Sequence, residues 1–168
     1  MKLRMLKEKD APLMLEWMHD ISVVEDLKAD FLHKTIGDCE EFIKNSAENG
    51  QNLHMAVVDD SDTYMGTASL KHIGEGMAEF GIVVRKSAMG KGYAHYAMNE
   101  IIRIGFDRLK LKMIYWCVSP ENLRAVRFYD KNGYHRMNSA PEAASPYYSE
   151  EELHRYIWYD ISVKEQQC

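Results

Sequence analysis

The spacing of apolar positions changes several times along the chain, and each change marks a new element. "KLRML", Lys2 to Leu6, reads as a short first strand. Asp10 then offers an N-cap, and Pro12 a first-turn residue, for a helix over "APLMLEWMHD" with Leu13, Leu15, Trp17 and Met18 on its apolar side. A polar, acidic connection around "VVEDLKAD" leads to Thr35. That residue can cap a second helix, "IGDCEEFIKNSA", where Ile36, Cys39, Phe42 and Ile43 recur at helical spacing. Gly50 closes the region.

Three β-rich runs follow: "LHMAVVD", "YMGTASLKHI" and "MAEFGIVV". The turn clusters "DSD" and "GEG" divide them, which predicts an antiparallel meander. "YAHYAMNEIIRIGFDRL" is a long helix with a buried stripe of Ala94, Ala97, Met98, Ile101, Ile102 and Phe106, and Gly105 is a blemish near its end. "KMIYWCV" is a continuous apolar strand and "NLRAVRFYDKN" a short helix closed by Gly133. "ELHRYIWYDISV" reads as a terminal strand, preceded by the long polar loop "MNSAPEAASPYYSEEE". The expected class is mixed α/β (α+β), in a single domain over residues 1–168 with no repeat or linker.

Composition narrows the picture. At 168 residues, 46% of them hydrophobic, the chain can bury a core without disulfides or a structural metal. Cys39, Cys117 and Cys168 contain no CxxC pair, which fits a reducing cytoplasm better than a disulfide framework. The start of the chain lacks the apolar core of a signal peptide, and no apolar run approaches membrane-spanning length. A net charge of -5 argues against a nucleic-acid partner, since binding a phosphate backbone needs clustered Lys and Arg. The histidines show no ligand spacing, so no metal is expected.

The candidate chemistry starts at "VVRKSAMGKGYAHYAM". A strand ending at Val84, a loop holding Gly90 and Gly92, and a helix N-terminus together can hold anionic oxygens. Unpaired backbone NH groups and the helix dipole point at the ligand, and Lys91 adds positive charge. Neither familiar phosphate loop fits. A Walker loop would need glycine at Arg85 and Ser or Thr at Gly92, and a dinucleotide fingerprint would need glycine at His95. Taken alone, the glycines read as a plain turn.

At "MGKGYA" the sequence resembles the GNAT superfamily of acetyl-CoA-dependent N-acetyltransferases. The family signature places Arg or Gln, Gly, and Gly or Ala where Met89, Gly92 and Ala94 stand, so Met89 is a departure. The second motif matches throughout: in "NLRAVRFYDKNGY", Asn122, Ala125, Tyr129, Gly133 and Tyr134 fall on the family pattern. The resemblance implies the GNAT fold, a mainly antiparallel central sheet splayed between its fourth and fifth strands and flanked by helices. It is nearest to the branch of polyamine, ribosomal-protein N-terminal and amino-sugar acetyltransferases.

What the resemblance implies for the site is specific. Ile82, Val83 and Val84 would pair with the pantetheine arm of acetyl-CoA, and Met89, Gly90, Lys91, Gly92, Tyr93 and Ala94 would hold the pyrophosphate. Asn122 would contact pantetheine, although an asparagine there is equally a helix cap. Tyr129 would be the general acid, since a phenol with a pKa of about 10 is protonated at neutral pH and can reprotonate the departing thiolate. Glu79 would be the base, directly or through a water. Strand alternation puts Glu79, Gly81 and Val83 on one face and Phe80, Ile82 and Val84 on the other. Arg127 and Lys131 could reach the adenosine phosphates, and Cys117 reads as a core thiol.

The expected reaction is direct transfer from acetyl-CoA to a primary amine in a ternary complex, with a catalytically silent CoA-binding or sensory module as the alternative. The acceptor side would be framed by "SVVEDLKADFLHK" and by the loop before the last strand. Their acidity favours a cationic amine such as a polyamine or a peptide N-terminus, while Tyr147 and Tyr148 would suit a sugar. A homodimer is left open.

Overall fold

The computed structural model describes residues 1–47 and 49–163. Cys168 lies outside them. In chain order the elements are β1 (Lys2–Met5), α1 (Ala11–Met18), α2 (Ile21–Val24), α3 (Ile36–Asn45), β2 (Leu53–Val58), β3 (Tyr64–Gly74), β4 (Met77–Val84) and α4 (Tyr93–Asp107). They continue with β5 (Met113–Val118), α5 (Leu123–Lys131), β6 (His135–Arg136), α6 (Glu150–Arg155) and β7 (Ile157–Ser162). The strands form one seven-stranded sheet in the order β1-β2-β3-β4-β5-β7-β6. Every pair is antiparallel except β4 with β5, which run parallel.

Alternation along the strands sorts side chains onto two faces. On one, Leu70, Phe80, Ile114 and Trp116 pack under Met98, Ile101 and Phe106 of α4 and Tyr129 of α5. On the other, Ala56, Val58 and Tyr64 pack under Met14, Trp17 and Met18 of α1 and Cys39 of α3. Gly105 is a close-approach position. A Cβ there would stand 2.8 Å from Ile114 Cδ1, so the missing side chain lets α4 settle onto β5.

Four sequence expectations need correction. Asp10 makes no side-chain cap; its buried carboxylate instead accepts from Lys7 N at 2.9 Å and from both terminal nitrogens of Arg4, at 2.7 and 2.8 Å. The buried side of α1 is Ala11, Met14, Trp17 and Met18, with Leu13 and Leu15 at its margin. The expected connection after α1 contains α2, because Asp20 accepts from Ser22 N and caps a turn. The terminal strand begins at Ile157. Residues Glu150–Arg155 form a helix because Ser149 and Glu152 make a reciprocal capping box and three glutamates sit at its positive end. Thr35 caps α3 through Asp38 N, as expected.

Candidate active site

The parallel pairing of β4 with β5 lasts only from Met77 to Glu79, opposite Met113 to Tyr115. Beyond Glu79, β4 stays paired to β3 through Val84 while β5 stays paired to β7 through Val118. The two strands therefore diverge, and a wedge opens between their C-terminal halves. A cavity of about 310 Å³ fills it. Its walls are Ile82, Val83 and Val84 on β4, the loop from Ala88 to Gly92, and Asn122, Ala125 and Tyr129 of the α5 segment.

The loop is shaped by backbone conformation. Gly90 and Gly92 have φ of +72° and +85°, and nothing lies within 4 Å of a Cβ built on either. Glycine is required there by the left-handed backbone, since the surroundings are open. Gly92 caps α4, whose 15 residues direct the positive end of their dipole toward the cavity mouth. Asn122 caps α5, accepting from Ala125 N at 3.1 Å, and also lines the cavity, so both roles foreseen for it coexist in the geometry.

Tyr129 is 7% exposed and reaches the cavity wall from a cluster of rings. Trp116 and Tyr159 lie at centroid distances of 5.4 and 5.1 Å. Burial pushes its phenol well above the ordinary tyrosine value, so the hydroxyl keeps its proton at any physiological pH.

A second cavity, about 500 Å³, lies on the α1/α3 face and shares Ile82 and Val83 with the first. Trp17 and Phe31 meet edge to face at 5.0 Å, and Phe42 and His54 are tilted against each other at 4.8 Å. Polar groups on β2 and β3 line the same space: His54 Nδ1 is 2.7 Å from Ser69 Oγ, and Thr67 and Lys71 stand beside them. Burial, reinforced by the nearby Lys71 charge, pulls the His54 imidazole down to about 4, so it is neutral at pH 7.

Glu79 is 3% exposed and lines neither cavity. Its Oε1 accepts from the Tyr148 hydroxyl at 2.5 Å and from Lys71 Nζ at 3.1 Å. Its Oε2 has no hydrogen-bond partner among the described residues, with His72 Nε2 at 3.7 Å. The alternation expected for β4 holds: Phe80 is in the core under α4, while Gly81 and Val83 border the second cavity.

Against this geometry the relatives fall into place. Residues 1–135 match the family described as Acetyltransferase (GNAT) domain. The chain is a GNAT acetyltransferase. It is 28% identical over 136 residues to the uncharacterized N-acetyltransferase YnaD of Bacillus subtilis, covering 80% of this chain and 78% of the relative. It is 23% identical over 157 residues to the aminoglycoside N(6')-acetyltransferase type 1 of Klebsiella pneumoniae, covering 86% and 78%. The fold superposes with a TM-score of 0.80 on the spermidine N-acetyltransferase of Vibrio cholerae solved with CoA and spermine, at 20% identity and 99% and 98% coverage. The enzyme class is acetyl-CoA-dependent N-acetyltransferase.

Within this GNAT chain, Ile82, Val83, Val84, Met89, Gly90, Gly92, Ala94, Asn122 and Tyr129 converge on one cavity. Lys91 and Tyr93 do not line it. Lys91 is exposed, and Tyr93 packs against the main core. Arg127 and Lys131 are also absent from its walls. The basic side chain that is present is Arg124, whose Nη1 lies 3.0 Å from Met89 Sδ. Sequence reasoning missed it, as it missed His95, Phe128, Val23 and Leu27. The two segments expected to frame the acceptor side meet at Lys28, whose Nζ donates to the Tyr147 carbonyl and to Glu152, both at 2.9 Å. Phe31 and Lys34 of "SVVEDLKADFLHK" line the second cavity, but its acidic residues do not, and the loop before β7 contributes to neither. Asp38, Glu41 and Phe42 of α3 stand there instead.

Among the described residues no group of His, Cys, Asp or Glu is arranged to hold a metal ion, and no helix is long and apolar enough to cross a membrane.

Proposed function

We propose that this protein transfers the acetyl group of acetyl-CoA directly to a primary amine, with both substrates bound at once. The observation that carries the reading is the sharing of Ile82 and Val83 by two cavities, one walled by the glycine loop and Tyr129, the other by polar and aromatic side chains. A thioester lying along Ile82 to Val84 would present its carbonyl at the boundary where an amine in the second cavity could attack.

In this reading the backbone NH groups of Gly90, Gly92, Tyr93 and Ala94 take the pyrophosphate, those of Met89 and Lys91 being held by the carbonyls of Lys86 and Ala88, while the free edge of Ile82–Val84 takes the pantetheine amides and Asn122 holds the arm near α5. Holding both reactants in place supplies the largest part of the acceleration, because it removes the entropy cost of a bimolecular encounter. As the amine nitrogen bonds to the carbonyl carbon and the carbon–sulfur bond breaks, the Tyr129 hydroxyl gives its proton to the departing thiolate. The raised phenol pKa keeps the hydroxyl protonated until the thiolate develops.

The amine must shed a proton. Glu79 is the proposed sink, acting through a water, because Oε1 is held by Tyr148 and Lys71 while Oε2, buried and 3.7 Å from His72 Nε2, accepts no hydrogen bond among the described residues. His54 is a poor alternative: a group with a pKa of about 4 accepts hydrogen bonds at pH 7 but holds a proton weakly. A covalent acetyl-cysteine route finds no support either, since burial pushes the Cys117 thiol up to about 11 and leaves little thiolate at neutral pH.

Calorimetric titration with acetyl-CoA, paired with amine-dependent CoA release, tests the reading. Saturable 1:1 binding and turnover that requires an amine are expected. Absence of binding would remove it.

A further inference from the structure

We infer that the acceptor is a monoamine carried on an apolar or aromatic body, and that a polyamine is a poor substrate. The inference rests on the function proposed above and assigns the acceptor to the second cavity.

Charge balance is the first argument. The ionised side chains around this cavity are Lys34 and Lys71 against Asp38 and Glu41. Asp38 is already engaged, accepting from the backbone and hydroxyl of Thr35 at 2.7 and 2.9 Å. Lys71 is likewise engaged, donating to Glu79 at 3.1 Å, so a chain with three or four ammonium groups would meet Lys34 and one carboxylate without a hydrogen bond among the described residues, Glu41. Enclosing unpaired ammonium groups beside like charge is costly. A single amine is matched by that single carboxylate.

Acidic residues of the segments before α3 and β7 are engaged elsewhere. Asp30 pairs with His33, and Glu152 with Lys28, both outside the cavity. No carboxylate of the two acid-rich segments lines the second cavity.

The second argument is the lining itself. Two ring pairs, Trp17 with Phe31 and Phe42 with His54, frame the space, and Met14 and Met18 complete its floor. Such walls favour a flat or branched apolar group over a solvated polar chain. The polar end of the ligand has a place too. Thr67 and Ser69 on β3 pair in register with Val83 and Gly81, beside the segment common to both cavities. A neutral amine there can donate to their oxygens while its apolar body lies toward α1 and α3.

The test compares 2-phenylethylamine with spermidine as acceptors, at saturating acetyl-CoA, for the wild type and for Phe42→Ala and Glu41→Gln. Phe42 is 37% exposed, so its truncation leaves the fold intact, checked by an unchanged thermal midpoint. The expected result is a kcat/KM for 2-phenylethylamine at least roughly tenfold above that for spermidine. Phe42→Ala should lower it roughly tenfold while the KM for acetyl-CoA stays constant. A preference for spermidine, or indifference to Phe42→Ala, would overturn the inference, as would failure to acetylate either amine by a protein that still binds acetyl-CoA. Loss of acetyl-CoA binding itself would strike the proposed function first, and the inference with it.

Discussion

Arg124, in the first turn of α5, places Nη1 3.0 Å from the Met89 sulfur across the mouth of the smaller cavity. The family signature has Arg or Gln where Met89 stands, so a cation from a different element occupies the neighbourhood of the missing side chain. Met89 itself contributes apolar packing against the α1/α3 cluster.

Arg124 is therefore expected to contact a phosphate of acetyl-CoA. Arg124→Ala should weaken acetyl-CoA binding roughly tenfold, the effect of about 1.5 kcal/mol for a hydrogen bond to a charged group. Raising the salt concentration should narrow the gap between variant and wild type. Adding Met89→Arg to Arg124→Ala should restore part of the affinity, and titration calorimetry reads all three.

Tyr129→Phe removes the proposed proton donor and leaves the ring in its cluster. The expected outcome is a fall in kcat of about 100-fold or more with acetyl-CoA affinity within about twofold of wild type. Because burial raises the phenol pKa, wild-type kcat should show no loss from tyrosine ionisation between pH 7 and 10. A descending limb in that range, absent in Tyr129→Phe, would contradict the raised pKa, and a kcat unchanged by Tyr129→Phe would contradict the proton-donor role.

The order of elements was legible because the hydrophobic period changes clearly: period two through the meander, helical spacing across Tyr93–Asp107, a continuous run in β5. The loop and α5 residues of the site were legible through two spaced motifs that lie on adjacent elements. The lining of the second cavity was not. Which side chains of α3, β2 and β3 share a cavity depends on the packing angle of α1 and α3 over the sheet, and no local pattern carries that. Likewise, choosing Arg124 over Arg127 or Lys131 needed the rotation of α5 against the loop. The helix at Glu150–Arg155 was missed although Ser149 and Glu152 spell its cap, because the apolar residues downstream drew the strand too far upstream.

His54 sets an acid limit on stability. Its pKa falls from 6.5 in the unfolded chain to about 4 in the fold, so between these values the unfolded state binds more protons. Stability contributed by the neutral imidazole is full above pH 6.5 and is lost as pH falls toward 4. The shift corresponds to at most about 3 kcal/mol, less after allowing for partial exposure. His54→Gln should flatten the decline in denaturation free energy over this interval.

Gly66 faces the strand that would hold pantetheine. A Cβ there would stand 2.3 Å from the Val83 carbonyl oxygen and 2.9 Å from Val84 Cα, and neither backbone atom can step aside. Gly66→Ala should cost about 3 kcal/mol and weaken acetyl-CoA binding by displacing Val83. Chemical denaturation and titration read the two effects separately.

Glu79→Gln should lower kcat roughly tenfold or more and leave acetyl-CoA binding intact, because the side chain lies outside the cofactor cavity. Tyr148→Phe should have a smaller effect in the same direction, since it removes one of the two donors that orient Oε1. Equal kcat for Glu79→Gln and wild type across pH 6 to 9 would remove Glu79 from the proton path.

The most direct measurement is a crystal structure of the chain with CoA. The account predicts the pyrophosphate on the amides of Gly90, Gly92, Tyr93 and Ala94, the pantetheine arm along Ile82–Val84, and the sulfur within hydrogen-bonding reach of the Tyr129 hydroxyl at the boundary of the two cavities. CoA bound elsewhere, or with its sulfur turned away from Tyr129 and the shared Ile82–Val83 wall, would contradict it.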